Sequence, residues 1–206
     1  MINENFEESI KAYYSKKFSE FGPSPKGVDW NGIDSQHTRF QMLVRHLKIE
    51  GGSTLLDFGC GYGGLFTFLS DIDESIAYQG YDIVEASIET ARRFHTSSQA
   101  DFVSVLPQLR DWDYVLMSGV FNVKGEVDEV EWGAYAVSMI NSLLPRATKG
   151  ISFNMLTTFN DAHLRKAHLY YVDPPELLSK LDIKPPFTVI LDHSYPMWEY
   201  TITILK

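Results

Sequence analysis

Cysteine is almost absent from this sequence. Cys60 is the single cysteine, so the chain cannot form an internal disulfide or a cysteine cluster for a metal. No apolar run approaches the roughly 18 residues of a membrane-spanning helix, and the polar N-terminus lacks the apolar core of a secretory signal. The histidines include no H-x-x-x-H or H-E-x-x-H spacing. These absences predict a cytoplasmic enzyme or binding protein with no membrane contact and no metal.

Basic residues are scarce relative to acidic ones. The chain has 18 Lys and Arg against 27 Asp and Glu, which gives a formal net charge of −9. Binding to nucleic acid depends on a basic surface that displaces counterions from phosphates. The charge balance therefore argues against a nucleic-acid partner. A chain of 206 residues is long enough to bury the core of one α/β domain, and we expect a monomer or a homodimer.

Strand-like and helix-like segments alternate after residue 50. Strand-like runs occupy 54–58, 76–83, 101–105, 113–119 and 149–156, with helix-like segments at 63–70, 84–95 and 129–144 between them. Such alternation is typical of a parallel sheet covered by helices on both faces. A capped helix follows at 173–181, and the last two runs, 187–193 and 197–206, are too close for a crossover and must pair antiparallel. The pattern predicts a doubly wound, mostly parallel, seven-stranded α/β sheet closed by a C-terminal antiparallel hairpin.

The first 50 residues follow a different pattern. Apolar spacing predicts a helix over 4–20 and another over about 35–49, separated by the proline- and glycine-rich loop FGPSPKGVDWNG. We interpret residues 1–50 as an N-terminal helical lid within the same domain and residues 51–206 as its Rossmann-like body.

The stretch LLDFGCGYGGL at 55–65 carries the clearest functional signal. Three of its glycines fit G-x-G-x-x-G, and Asp82 lies 18 residues beyond the third, as in a dinucleotide-binding fingerprint. An NAD(P)-dependent oxidoreductase is therefore one interpretation. Three features favour another one: Asp57 stands two residues before the first glycine, the loop comes late in the chain, and the sheet ends in the antiparallel hairpin.

Together with the downstream GYDI and the terminal hairpin, the string LLDFGCGYGG resembles the class I S-adenosylmethionine-dependent methyltransferases over residues 52–206. The resemblance implies S-adenosylmethionine as cofactor and S-adenosylhomocysteine as product. It also implies that the glycine loop makes room for the methionine part, that Asp57 adds negative charge beside a cationic ligand, and that Asp82 binds both ribose hydroxyls. A non-catalytic protein that binds the cofactor is a further alternative.

The resemblance implies the following cofactor-binding residues: Arg39, Asp57, Gly59, Cys60, Gly61, Gly63, Asp82, Ile83, Asp101, Phe102, Ser118 and Gly119. Arg39 stands 20 residues before Gly59 and is the candidate for the methionine carboxylate, with a surface helix arginine as the alternative. Asp101 and Phe102 would supply the acid and the apolar residue for adenine. In this chain that acid precedes the third strand rather than following it, so residues 104–106 are the alternative lining. Cys60 fits as a small loop residue rather than a nucleophile.

For the acceptor, the resemblance implies methyl transfer to an oxygen or nitrogen of a small molecule. The Asn/Asp-Pro-Pro-aromatic string of base-amino methyltransferases is absent, which again argues against nucleic acid. Asn122 could orient the acceptor, and His163 or His193 could remove a proton, with structural or surface roles as the alternatives. The candidates for acceptor binding are Tyr14, Trp30, Gln36, Tyr170 and Tyr171.

Overall fold

The computed structural model describes residues 4–72, 75–107 and 110–206. Its sheet has eight strands: β1 Thr54–Phe58, β2 Ala77–Tyr81, β3 Ala100–Val103, β4 Trp112–Met117, β5 Ala147–Thr157, β6 Tyr171–Val172, β7 Thr188–Asp192 and β8 Glu199–Leu205. The main path runs β3-β2-β1-β4-β5-β8-β7. β8 pairs antiparallel with both β5 and β7, whereas the pairs from β3 across to β5 are parallel. The predicted mostly parallel sheet with a closing hairpin is confirmed.

β6 is the strand that the sequence pattern did not predict. It contains two residues, Tyr171 and Val172, which pair in parallel with the carboxyl end of β5 and lie beside the seven-stranded path. Two residues are too few to show the alternation by which a strand is recognised in sequence. The pairing depends instead on the return of the chain from the loop after β5.

The sheet is flanked by six helices: α1 Glu4–Phe21, α2 Ile33–Val44, α3 Gly64–Ser70, α4 Glu85–Phe94, α5 Glu129–Leu143 and α6 Pro174–Lys180. Asp173 caps α6, because its side chain accepts a hydrogen bond from the Glu176 N–H at 3.0 Å. α2 ends five residues earlier than the 35–49 prediction. Beyond its end, Arg45 and His46 contact the Asp192 carboxylate at 3.3 and 3.1 Å.

Hydrophobic core lies on both faces of the sheet. Leu55 belongs to a cluster with residues of α2, α3 and α4, while its neighbour Leu56 belongs to a cluster with residues of α5 and α6. Both side chains are fully buried. This alternation is the doubly wound arrangement expected from the period-2 geometry of a strand. Among the described residues, no helix has the length and apolar character needed to cross a membrane.

The topology fixes where a ligand can bind. From β1 the chain proceeds outward to β2 and β3, and then returns to place β4 on the other side of β1. The connections after β1 and β4 therefore diverge, which opens a crevice at their carboxyl ends.

Candidate functional site

The crevice at the carboxyl ends of β1, β2 and β4 is a cleft with about 1040 Å³ of empty space, which we call the first cleft. α1 and the segment around Val28 and Trp30 lie over it. The predicted site residues that line the first cleft are Tyr14, Trp30, Gln36, Asp57, Gly59, Cys60, Gly61, Asp82, Ile83, Ser118 and Gly119. The structure thus gathers most of the predicted cofactor residues at one place.

Asp82 follows the end of β2 and is held by two backbone donors. Its Oδ2 accepts from the Gly61 N–H and its Oδ1 from the Val84 N–H, each at 2.8 Å. Burial raises the pKa of the Asp82 carboxyl, and the two donors oppose that rise. Each oxygen keeps acceptor capacity for one more donor. The carboxylate is therefore arranged to accept from two neighbouring hydroxyl groups, such as those of a ribose.

Asp57, near the end of β1, is only 2% exposed. Its Oδ2 accepts a hydrogen bond from the Tyr78 hydroxyl, whereas its Oδ1 has no partner among the described residues. Burial raises the pKa of the carboxyl to about 7, against the lowering effect of the Tyr78 bond and with a further contribution from Asp82. An unpartnered buried carboxylate oxygen fits a cationic ligand. The ammonium of the methionine part of S-adenosylmethionine is such a ligand.

The glycine loop lies against the end of β2. The Gly59 and Cys60 N–H groups both donate to the Tyr81 carbonyl, at 2.7 and 2.9 Å. Gly61 has a φ of +55°, and a Cβ there would come within 2.8 Å of the Val28 side chain. The loop therefore needs glycine for its backbone conformation and for the close approach of the Val28 side chain.

The 27–30 segment, GVDW, is fixed against α1. A Cβ on Gly27 would lie 2.0 Å from the Gly22 carbonyl oxygen, so no larger residue fits. Asp29 adopts a φ of +64°, the one non-glycine positive φ among the described residues. Its carboxylate accepts from the Tyr13 hydroxyl at 2.8 Å and pairs with the Lys17 ammonium at 2.7 Å. These contacts hold the turn that orients Trp30.

Trp30 separates the first cleft from a second space. Its ring lies against Gly119, where an added Cβ would meet the ring at 2.2 Å, and the Arg39 guanidinium stacks on it at 4.0 Å from the ring centroid. Beyond the ring lies a cavity with about 960 Å³ of empty space. We call it the second cavity. It is lined by Tyr13, Tyr14, Lys17, Val28, Asp29, Trp30, Asn31, Arg39, Gly119, Asn122, Val123, Leu156, Lys166, His168, Leu169 and Glu199.

A buried polar chain connects the two spaces. Arg39 forms an ion pair with Glu199, which is 2% exposed. The Glu199 Oε2 accepts from the Asn154 Nδ2 at 2.7 Å, and the Asn154 Oδ1 accepts from the Gly119 N–H at 2.8 Å. Arg39, the candidate for the methionine carboxylate, is thus directed toward Glu199 and lines the second cavity rather than the first cleft.

Three predicted cofactor residues lie outside both spaces. Phe102 is buried in the core beneath the sheet and stacks on His95 with 5.5 Å between ring centroids. The exposed Asp101 accepts from the Gln79 amide at 2.8 Å. Gly63 is the N-cap residue of α3, and a Cβ there would meet His95 at 2.8 Å. Because β3 runs from Ala100 to Val103, both adenine candidates lie within the strand rather than in the loop that follows it.

The acceptor-side predictions divide in the same way. Asn122 lines the second cavity and is 6% exposed, and its Oδ1 is buried without a partner among the described residues. His163 is exposed in a short 3-10 turn, and the exposed His193 lies against Phe159 at 5.9 Å. Neither histidine lines the first cleft or the second cavity.

The two tyrosine candidates from the β6 region have other contacts. Tyr170 is 6% exposed and its hydroxyl packs against Gly133 in the core. The Tyr171 hydroxyl accepts from the Lys166 N–H at 3.2 Å and so holds the loop that forms one wall of the second cavity. Tyr171 therefore supports the Lys166 backbone but does not itself line the second cavity.

Sequence reasoning missed several polar residues of the second cavity, among them Lys17, Lys166, His168 and Glu199. Glu199 carries a detectable signal, since an acid at the start of a strand that ends the chain is unexpected unless it has a buried partner. Lys166 and His168 lie in HLRKAH, a basic run in an acidic chain. Spacing alone does not bring these residues to α1, which lies more than a hundred positions earlier.

The site can be compared with known proteins. A family model of the methyltransferase small domain matches residues 30–114. A Mycobacterium tuberculosis protein named "Putative methyltransferase Rv1506c" is 34% identical over 151 residues, which cover 73% of this chain and 91% of that protein.

Solved structures share the fold at lower identity. Magnesium protoporphyrin IX methyltransferase from Synechocystis PCC 6803, with bound S-adenosylmethionine, gives a TM-score of 0.64 at 16% identity over 97% of this chain and 96% of that one. The N-methyltransferase NodS from Bradyrhizobium japonicum, in complex with S-adenosylhomocysteine, gives 0.65 at 12% identity over 95% and 97%. At such identities the structures indicate the fold alone.

These comparisons decide between the two cofactor classes that the glycine loop left open. The family model, the curated relative and the similar structures are all methyltransferases, and the two structures above hold the cofactor or its product. The nicotinamide-dependent alternative is wrong, and the cofactor is S-adenosylmethionine. The chain belongs to the class I S-adenosylmethionine-dependent methyltransferases.

Proposed function

We propose that this methyltransferase transfers the methyl group to an oxygen or nitrogen of a small molecule held in the second cavity. One observation carries the proposal: the first cleft and the second cavity share a wall, formed by Tyr14, Val28, Trp30 and Gly119. A cofactor in the first cleft and an acceptor in the second cavity would therefore meet at that wall. An in-line displacement requires the acceptor atom to contact the methyl carbon directly, so transfer also requires the Trp30 ring to move away from Gly119 and open the wall.

S-adenosylmethionine supplies a carbon that its sulfonium already activates, so the residues need to bind, align and exclude water. On the cofactor side, Asp82 would accept from the ribose hydroxyls and the free Asp57 oxygen would accept from the ammonium. Gly59 and Gly61 leave room for the methionine part. Ser118 and Gly119 follow β4, with Gly119 in the shared wall and Ser118 beside it in the first cleft, and both would flank the reacting centre.

On the acceptor side, Asn122 is the residue best placed to orient the reacting group. Its Oδ1 is buried without a hydrogen-bond partner among the described residues, and because the oxygen and nitrogen of an amide can exchange places, this position could accept from or donate to the methyl acceptor. Burial and the charge of Asp29 raise the pKa of Tyr14, whose hydroxyl stays neutral at physiological pH and acts as a hydrogen-bond group rather than a base.

The fold does not by itself select a small acceptor, since a small RNA methyltransferase also shares it. Two features favour the small molecule. The second cavity is bounded by α1, by the 28–31 segment and by the 166–169 segment, and the chain carries a net charge of −9.

The proposal is tested with methyl-tritiated S-adenosylmethionine and the purified chain. The label is offered to two fractions of a bacterial extract, an ultrafiltrate free of macromolecules and the RNA fraction. We expect transfer into the ultrafiltrate only, and transfer reduced about tenfold or more in a chain carrying Asp82→Ala when the cofactor is held below its Kd. Transfer into RNA alone would overturn the small-molecule acceptor. S-adenosylhomocysteine binding without transfer to either fraction would instead favour the non-catalytic alternative.

A further inference from the structure

The second cavity differs in charge from the rest of the molecule. Its lining contains three cationic side chains, Lys17, Arg39 and Lys166, together with His168, against the two carboxylates of Asp29 and Glu199. The whole chain has the opposite balance, with 27 acidic residues against 18 basic ones. An excess of cationic side chains in one cavity of an acidic protein indicates that the ligand of this cavity carries negative charge.

The two carboxylates of the second cavity already have partners within the protein. Asp29 pairs with Lys17 at 2.7 Å, and Glu199 pairs with the Arg39 guanidinium. This leaves Lys166 and His168, whose side chains have no ion-pair partner within residues 4–72, 75–107 and 110–206. The positive charge that the cavity can offer to a ligand therefore lies on the 166–168 segment.

Hydrogen bonds hold this segment at the cavity. The Lys166 N–H donates to the Tyr171 hydroxyl at 3.2 Å, and the His168 carbonyl accepts from the backbone N–H groups of Lys124 and Gly125 at 2.9 and 3.1 Å. The neighbouring Arg165 is turned away, because its guanidinium bonds to groups of residues 158 and 160. The segment thus presents two selected side chains rather than a uniformly basic surface.

We propose that the methyl acceptor is an anion, with a carboxylate or phosphate group bound by Lys166 and His168. This proposal rests on the proposed function and adds the acceptor's chemical class. Lys166 and His168 line the second cavity and not the first cleft, whereas Tyr14 and Gly119 line both. The acceptor would therefore place its anionic group away from the cofactor and its oxygen or nitrogen at the shared wall.

A binding experiment tests the anion site without the natural acceptor. The full ¹⁵N-labelled chain, saturated with S-adenosylhomocysteine, is titrated with inorganic phosphate and separately with acetate, and amide shifts are followed by NMR. We expect saturable shifts centred on residues 166–169, with whichever anion saturates at lower concentration indicating the source. In K166M/H168N the affinity should fall by about tenfold or more, as expected for losing charge-assisted hydrogen bonds. Unsaturable shifts, or an affinity that the double variant does not change, would overturn the proposal.

A turnover assay is the second experiment that tests the anionic acceptor. Acceptor candidates are offered in matched pairs, each acid or phosphate ester beside its uncharged amide or alcohol, and S-adenosylhomocysteine release is measured. We expect the charged member to have the higher kcat/KM, and Lys166→Met to raise KM for it while leaving kcat within a factor of about two. Lys180→Met, an exposed lysine of α6 paired with Glu176, is the matched control. Preference for the neutral members would overturn the proposal.

The two proposals can fail separately. If S-adenosylhomocysteine binds and phosphate or acetate saturates the 166–169 segment, but no acceptor is methylated, the proposed transfer fails while the anion site stands. If neutral small molecules are methylated and the anions do not bind, the proposed function stands and the anionic acceptor fails.

Discussion

The first cleft and the second cavity share a wall but are built from different parts of the chain. The two buried carboxylates of the first cleft, Asp57 and Asp82, lie in β1 and directly after β2, and backbone donors fix Asp82 locally. The polar groups of the second cavity come from α1, the 29–31 segment, α2, the loops after β4 and β5, and the start of β8. The carboxylates expected to bind the cofactor are thus close together in the sequence, whereas the polar groups of the acceptor side meet only once distant segments have packed.

The largest expected effect is a loss of stability when a buried ion pair of the second cavity is removed. Glu199→Ala leaves the buried Arg39 guanidinium without its partner and removes the acceptor that holds the Asn154 amide. Loss of one member of a buried ion pair costs about 3–5 kcal/mol of the free energy of unfolding. Urea denaturation followed by circular dichroism measures it.

Glu176→Ala is the matched control for this variant, because Glu176 forms an exposed ion pair with Lys180. Its loss should cost no more than about 1 kcal/mol. Equal effects of the two variants would mean that the Arg39–Glu199 pair does not hold the second cavity together.

The next largest effect concerns ligand binding in the first cleft alone. Asp82→Ala removes a carboxylate that can accept from both ribose hydroxyls, so the Kd for S-adenosylhomocysteine should rise at least tenfold, or about 1.4 kcal/mol. Calorimetry measures the Kd. Asp101→Ala is the control, since Asp101 lies outside the first cleft. The Kd of this variant for S-adenosylhomocysteine should equal that of the unaltered chain. If Asp101→Ala raised the Kd more than Asp82→Ala did, the ribose site would lie elsewhere.

A smaller effect concerns the pH dependence of the first cleft. Because burial raises the pKa of Asp57 to about 7 from an ordinary 3.8, its contribution to the stability of the ligand-free chain is complete below 3.8 and is lost as the pH rises through 7. A bound ammonium favours the ionised carboxylate, so ligand binding should release a proton near pH 6.

The affinity for S-adenosylhomocysteine should accordingly fall as the pH drops from 7 to 5, by up to about tenfold in all if the bound ammonium lowers the pKa of Asp57 by about one unit. Calorimetry in two buffers of different ionisation enthalpy measures the proton release. Asp57→Asn should abolish it, and a release that survives in Asp57→Asn would assign the proton to another group.

The smallest effects are expected at the two histidines that lie outside both spaces. His163→Ala and His193→Ala should each change kcat/KM by less than about twofold, as for surface substitutions. Steady-state turnover with any accepted acceptor measures them. A loss above tenfold in either variant would restore that histidine as a proton acceptor and would require the segment carrying it to move.

The sequence predicted more of the first cleft than of the second cavity. The positions of Asp57, Asp82 and the glycine loop near strand ends were predicted because strand ends and turn residues leave local signals in sequence. The bounds of β1 were predicted to the residue. Arg39 was identified but not its contact with Glu199, which joins positions 160 residues apart. Asp101 and Phe102 depended on where β3 ends, and a short edge strand does not reveal that end.

Trp30 and Gly119 have a consequence for the history of this protein family. The indole occupies the space that any side chain at 119 would need, and the φ of +67° at Gly119 also favours glycine. Position 119 cannot gain a side chain unless the residue at 30 becomes smaller. Among related sequences the two should therefore covary, with a residue larger than glycine at 119 accompanied by a smaller residue at 30. An alignment of relatives in which the two positions vary independently would show that this contact is not under selection.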